Sequence, residues 1–371
     1  MSSIAIGVPT VRVAIDVDGG DHGAAVTLPA AALFLSTRPD ARLLLVGLAS
    51  SLASASHEIP AALFDRVSLL TATEVVGMDE PPALTLKNKK NSSLRLALNA
   101  VRDAQADACV SAGNTGALMA NARFVLKTLP GIDRPAIASL LPTHKGHGKE
   151  GDGGVLMLDL GANVDCTAEH LRQFAIMGAA LSSALTDKER PTVALLNIGE
   201  EEIKGNEIVK EAADLIRGTD LNFIGNIEGT DVFRGVADVV VCDGFVGNVA
   251  LKASEGIANL MGEMLREEFS RNVFTKLCAA LAYPVLKRFK ARMDPSQHNG
   301  ATLLGLRGIV VKSHGGADAI GFAMAIERAY EEARHDLIAE LTERVAALNV
   351  SAAASSPSAA GPIVAAKFAN S

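Results

Sequence analysis

Short, unbroken apolar runs recur along the chain: Val11 to Ile15, Arg42 to Val46, Arg66 to Leu70, Ala108 to Ser111, Gly154 to Leu158, Thr192 to Asn197, Leu221 to Ile227, Asp238 to Cys242 and Gly308 to Lys312. Most lack the alternation of a half-exposed strand, so they predict strands covered by helices on both sheet faces. Helical periodicity fills the intervals. Leu118, Ala122, Val125 and Leu129 recur at helical spacing, and Ile208, Ala212, Leu215 and Ile216 form a second such stripe. Ser92, Asn114 and Asn206 stand where helix N-caps are needed. Repeated strand, loop and helix units imply right-handed crossovers and a mostly parallel sheet between two helical layers, an α/β/α sandwich.

Five of the strand runs empty into small polar loops: SAGNTG (Ser111 to Gly116), DLGANVD (Asp159 to Asp165), NIGEEEIKGNE (Asn197 to Glu207), CDGFVGN (Cys242 to Asn248) and KSHGGAD (Lys312 to Asp318). In a parallel sheet such loops share the carboxyl edge, where this architecture places ligands. Glycines and helix N-termini there favour phosphate or a developing oxyanion. Each loop also has a plainer reading. Asn114 and Asn248 can be helix caps, Lys204 an exposed loop lysine beside Glu200 to Glu202, and DVDGGDH (Asp16 to His22) a tight turn whose carboxylates cap local backbone. KNKKNSS, from Lys87, reads as a solvated loop with Ser92 or Ser93 as cap, or as an anion path. Neither the dinucleotide fingerprint, nor the GxxxxGK[ST] phosphate loop, nor the GxSxG elbow is present.

The rhythm breaks between Glu267 and Asp294, where apolar Phe269, Phe274, Leu277, Leu281 and Phe289 alternate with Lys276, Lys287, Arg288, Lys290 and Arg292. The expectation is a basic amphipathic helical arm, bent or hairpinned at Pro284, with no strand before Gly308. From Ser351 onward Ala, Ser, Pro and Gly leave little to bury, so residues 350–371 are expected to be a disordered tail behind a single α/β domain of residues 1–349.

Composition narrows the function classes. With 49% hydrophobic residues, 4% aromatics, no Trp and a net charge of −7, the chain lacks base-stacking platforms and the basic excess of a nucleic-acid protein. Four scattered cysteines show no metal-ligand spacing and fit a reduced, cytoplasmic compartment. No run reaches the length of a membrane span, so a soluble or at most peripheral protein is expected, with neither metal nor cofactor.

In this order, DVDGGDH, KKNSS, ADACVSAGNTGALMA, GIDRPAIAS, LDLGANVD, KGNE, NFIGNIEG, VADVVVCDGFVGN and SHGGAD resemble the phosphate acyltransferase family PlsX, over roughly Val11 to Leu348. The resemblance implies transfer of a long-chain acyl group from acyl-acyl carrier protein to inorganic phosphate, feeding phospholipid synthesis through a downstream glycerol-3-phosphate acyltransferase. It also implies a three-layer fold like that of isocitrate and isopropylmalate dehydrogenases and of phosphotransacetylases, assembled as a homodimer. Lys204 and Asn248 match the family's catalytic KGNE lysine and DGFxGN asparagine. Gly113, Asn114, Thr115, Asn163, Asp243 and Gly244 become candidate substrate-binding positions, and His22 a candidate proton donor to the leaving sulfur. The arm residues Lys276, Lys287, Arg288, Lys290 and Arg292 would meet carrier protein or the inner face of the membrane.

Three departures from the family pattern stand out. Val17 and Asp18 replace the usual Ala-Met of the first loop, Thr143 to Gly154 is longer and more basic than usual, and Cys242 takes the place of a Thr. Competing readings are an acyl-coenzyme A phosphotransacetylase, a metal-dependent decarboxylating dehydrogenase of the same fold, and a non-catalytic scaffold for carrier protein and membrane.

Overall fold

The computed structural model describes residues 10–144, 154–186, 188–293 and 299–355. Eleven strands form one sheet: β1 (Arg12–Asp16), β2 (Arg42–Leu48), β3 (Val67–Ala72), β4 (Ala108–Ser111), β5 (Ala136–Leu141), β6 (Val155–Leu158), β7 (Thr192–Leu196), β8 (Asn222–Ile227), β9 (Val239–Val241), β10 (Ala301–Leu304) and β11 (Ile309–Lys312). The helices are α1 (Ala24–Thr37), α2 (Ala49–Ala53), α3 (Ala55–Glu58), α4 (Ala61–Phe64), α5 (Pro82–Asn88), α6 (Ser93–Arg102) and α7 (Thr115–Leu126). They continue with α8 (Ala168–Thr186), α9 (Glu207–Arg217), α10 (Gly229–Arg234), α11 (Gly244–Ser270), α12 (Val273–Met293), α13 (Ala319–Arg334) and α14 (Leu337–Ser355).

Strand side chains alternate between two cores, one on each sheet face. Val13 and Ile15 belong to the core that α1, α8, α9, α13 and α14 cover, while Ala14 on the same strand belongs to the core of α6 and α7. The second helical stripe is narrower than its spacing suggests, because Ala212 and Ile216 are buried on α9 whereas Ile208 and Leu215 stay exposed. The expected three layers are present.

The strand order is β3-β2-β1-β4-β11-β10-β5-β6-β9-β7-β8. Every join is parallel except β11 to β10, β10 to β5 and β5 to β6. Three reversals in succession turn the chain direction over, so β6, β9, β7 and β8 run opposite to β1 to β4 and β11. The sequence reading missed β5 and β10, the strands that make these joins, and with them the reversal. Its single carboxyl edge is therefore corrected to two. SAGNTG and KSHGGAD leave one edge, together with DVDGGDH; DLGANVD, NIGEEEIKGNE and CDGFVGN leave the other.

Two boundaries also change. The arm is a hairpin of α11 against α12 that turns at Arg271 and Asn272, not at Pro284, and it starts well before residue 267. Asn272 stops one helix and caps the next: its Oδ1 accepts from Thr275 N at 2.9 Å. Pro284 lies within α12. At the other boundary, α14 runs to Ser355, beyond the expected limit of order at 349, because Ala352 to Ala354 are good helix formers. Residues 356–371 and most of the basic Thr143 to Gly154 segment lie outside the described residues.

Candidate functional site

At the first edge, polar groups are largely committed to one another. Asn114 caps α7 through Oδ1 to Ala117 N at 2.9 Å, and its Nδ2 donates to Met78 O and Glu80 O. The Gly113 amide donates to Ser111 Oγ at 3.0 Å, and that hydroxyl donates to Asp16 at 2.7 Å. Asp18, the charge in place of the usual Met, accepts from Leu48 N at 2.6 Å and from Ser51 Oγ. Lys89 of KNKKNSS donates to Val75 O at 2.6 Å and pairs with Glu80, while Ser92 caps α6. Lys312 ends β11 buried, donating to Ala112 O at 3.1 Å and to Ser313 O.

Burial sets the electrostatics here. It raises the Asp16 carboxyl to about 6, against the lowering pull of the Ser111 hydroxyl and Lys312. It lowers Lys312 to about 8, opposed by Asp21 and Asp16 and reinforced by Lys252. Thr115 and His22 are exposed and their side chains make no hydrogen bond among the described residues. His22 lines a small cavity with Gly19, Gly23, Ala112, Gly315 and Phe322. It therefore joins the loops of the first edge rather than those bearing Lys204 and Asn248.

The second edge is built around Asp159, where β6 ends. Its buried carboxylate accepts from the backbone N of Ile137 (2.9 Å), Ala162 (3.0 Å) and Asn163 (2.7 Å) and from Asn163 Nδ2 (2.8 Å). Burial raises its pKa while these bonds hold it down. Asn163 also donates Nδ2 to Pro135 O at 2.8 Å, so its amide donor braces the loop. Gly244 N donates to Asn163 O at 2.8 Å, and Asp243, rather than Asn248, is the N-cap of α11, accepting from Val246 N at 2.8 Å. Cys242, in place of the usual Thr, keeps a weak bond from Sγ to Asp159 O at 3.6 Å. Close packing needs Gly247, because a Cβ there would lie 1.8 Å from Asp159 O.

In the sheet β9 lies between β6 and β7, so the loop carrying Asn248 sits between that of Asp159 and that of Lys204. Neighbouring strands are about 4.8 Å apart. The Lys204 backbone is pinned: its N donates to Glu201 O at 3.0 Å, and its O accepts from Asn197 Nδ2 at 3.1 Å. Asn206 caps α9 two residues on. The Lys204 ammonium has no ion pair or hydrogen bond among the described residues, and neither does the Asn248 carboxamide, which lies against Gly161. A fixed main chain presenting an uncommitted cation and an uncommitted amide is an arrangement that can hold an anion and donate to an oxyanion.

One turn beyond Asn248 on α11 stands Lys252, which pairs with Glu255 at 2.8 Å. Farther along, the arm is exposed. Val273, Phe274, Leu277 and Leu281 face outward, and α12 carries no acidic residue. Lys276, Lys287 and Arg288 are exposed, whereas the side chains of Lys290 and Arg292 lie outside the described residues. No helix among the described residues is long and apolar enough to cross a membrane.

Sequence reasoning named Asp159, Asn197, Asp16 and Lys312 only as members of their loops and gave none of them a separate part. Three of these are the first polar residue after an apolar strand run, and Lys312 is the last residue of one; that signal would have found them.

Comparison with known proteins adds an independent line. A family model described as fatty acid synthesis protein matches residues 11–340. A phosphate acyltransferase of Herminiimonas arsenicoxydans is 56% identical over 344 residues, covering 91% of this chain and 94% of that protein. One from Bordetella parapertussis is 56% identical over 358 residues, covering 95% and 99%. Among solved structures, a phosphotransacetylase from Streptococcus pyogenes superposes with a TM-score of 0.56 at 18% identity, covering 87% of this chain and 94% of that one. The EutD phosphotransacetylase of Staphylococcus aureus gives 0.55 at 15%, covering 88% and 96%. At such identities these two similarities speak for the fold alone.

Proposed function

The chain belongs to the phosphate acyltransferase family, and from that premise we propose that it transfers a long-chain acyl group from acyl-acyl carrier protein to inorganic phosphate. The observation that carries the reading is the pair of polar side chains, Lys204 and Asn248, that stand on neighbouring strand exits with no hydrogen-bond or ion-pair partner among the described residues. Phosphate is nucleophilic near neutrality, so the reaction needs no Ser or Cys nucleophile. A phosphate oxygen attacks the thioester carbonyl carbon, a C–O bond forms, and collapse of the tetrahedral adduct breaks the C–S bond. The carrier thiolate leaves and takes a proton. What the protein must supply is relief of anion crowding and a donor to the oxyanion. Lys204 neutralises the phosphate and Asn248 donates to the oxyanion, while Asp159, Asn163 and Asp243 hold the loops between which the reacting groups meet.

The product, an acyl phosphate, is an activated acyl donor suited to a glycerol-3-phosphate acyltransferase. The α11–α12 hairpin, with its cations and outward apolar side chains, suits a second copy of the chain, the acidic carrier protein or an anionic membrane surface. A second reading takes an acyl-coenzyme A as the donor. Incubating the purified protein with phosphate and either palmitoyl-carrier protein or palmitoyl-coenzyme A separates the two. The proposal expects hydroxylamine-trappable acyl phosphate and free thiol chiefly from the carrier-protein thioester; product from coenzyme A alone would overturn that donor assignment.

A further inference from the structure

Apolar side chains crowd the second edge where solvent should meet them. Ile198 and Ile203 are each 80% exposed, Phe245 62% and Val249 53%. Scattered exposed aliphatics are ordinary, but these four all stand on the exits of the adjacent strands β9 and β7. Their placement follows the chemistry. Ile203 immediately precedes Lys204, Val249 immediately follows Asn248, and Phe245 lies one turn earlier than Val249 on the same face of α11.

Resting on the acyl-transfer reading above, we propose that Ile198, Ile203, Phe245 and Val249 seat the acyl chain of the thioester donor and set its length preference. The carbonyl carbon is bonded directly to the first methylene of that chain. With Lys204 and Asn248 meeting the phosphate and the carbonyl oxygen, the chain leaves the reacting carbon in the neighbourhood of the loops that carry these four side chains. Its methylenes need an uncharged surface that water otherwise wets, which these four provide. None of the four supports the core, so each can be changed without loosening the fold.

The test measures kcat/KM for palmitoyl- and butyryl-carrier protein at saturating phosphate, in the unaltered protein and in the Ile203→Ser and Phe245→Ser variants. Each variant is expected to lower the palmitoyl-to-butyryl ratio about tenfold, through KM for the long chain, because lost apolar contact is worth about fourfold per methylene. Ile203→Leu should restore the ratio to within about twofold. An unchanged ratio with normal turnover, or equal loss on both donors, would overturn the seat while leaving acyl transfer standing. So would a change confined to oligomeric mass in sedimentation, which would assign the patch to a second copy of the chain. Absence of acyl phosphate from both of these donors and from palmitoyl-coenzyme A with the unaltered protein would overturn the acyl-transfer reading itself, and the seat with it.

Discussion

The two carboxyl edges of this sheet are made of the same materials, Gly, Asn, Asp and hydroxyl residues at strand exits, yet they differ in what their side chains have left to give. On the first edge, Asn114 is both helix cap and loop tie, Asp18 holds a backbone N–H and a hydroxyl, and Lys312 is buried against two carbonyls. On the second, Asp159, Asn163, Asn197 and Asp243 take over the bracing, which leaves a cation and an amide, Lys204 and Asn248, without a partner among the described residues, where the first edge leaves only the His22 ring and the Thr115 hydroxyl. A polar loop residue thus has two fates, and sequence pattern does not separate them. What separates them is whether a neighbouring group already answers each donor and acceptor.

Changes chosen for each edge should respond differently. The largest effect on stability is expected for Gly247→Ala, which forces a Cβ into Asp159 O and should cost about 3 kcal/mol or more in urea unfolding, dismantling the second edge and its activity together. Retention of wild-type stability would show that α11 can retreat from Asp159 freely. Asp16→Asn sharpens the first-edge picture through pH. The folded carboxyl titrates near 6, above its unfolded value near 3.8, so the folded state holds its proton longer and stability falls as pH rises across that window. Well above pH 6 the Asn variant should therefore be more stable than the unaltered protein by roughly 3 kcal/mol, with the gain vanishing below about pH 4. A pH-independent difference would contradict it. The smallest effect belongs to Asn114→Ala, which loses an N-cap worth about 1 kcal/mol and should leave kcat within about threefold. A hundredfold loss of turnover would return this loop to the chemistry.

Much of the fold was legible in the chain because burial on both faces leaves unbroken apolar strand runs, and nine of them appear as strands within two residues at either end. The runs AIASLL at β5 and ATLL at β10 were harder. The first sits between Pro135 and Pro142, and the second is four residues between Gly300 and Gly305. Apolarity, moreover, carries no sign of direction, so the three antiparallel joins and the second edge they create are facts of pairing, not of periodicity. Caps were legible at Ser92, Asn114 and Asn206, since capping is local. The distinction of Lys204 and Asn248 was not, except through the family resemblance, because their freedom depends on Asn197 and Asp243, which do the local bracing in their place.

The most direct test sets the two edges against each other, comparing kcat/KM for phosphate in Lys204→Ala and His22→Ala with palmitoyl-carrier protein as donor. Lys204→Ala should lose on the order of 10²-fold with an unchanged melting temperature, and His22→Ala should stay within about threefold of the unaltered protein. A folded Lys204→Ala variant with near-normal turnover, or a loss in His22→Ala as large as that in Lys204→Ala, would contradict the assignment of the chemistry to the second edge.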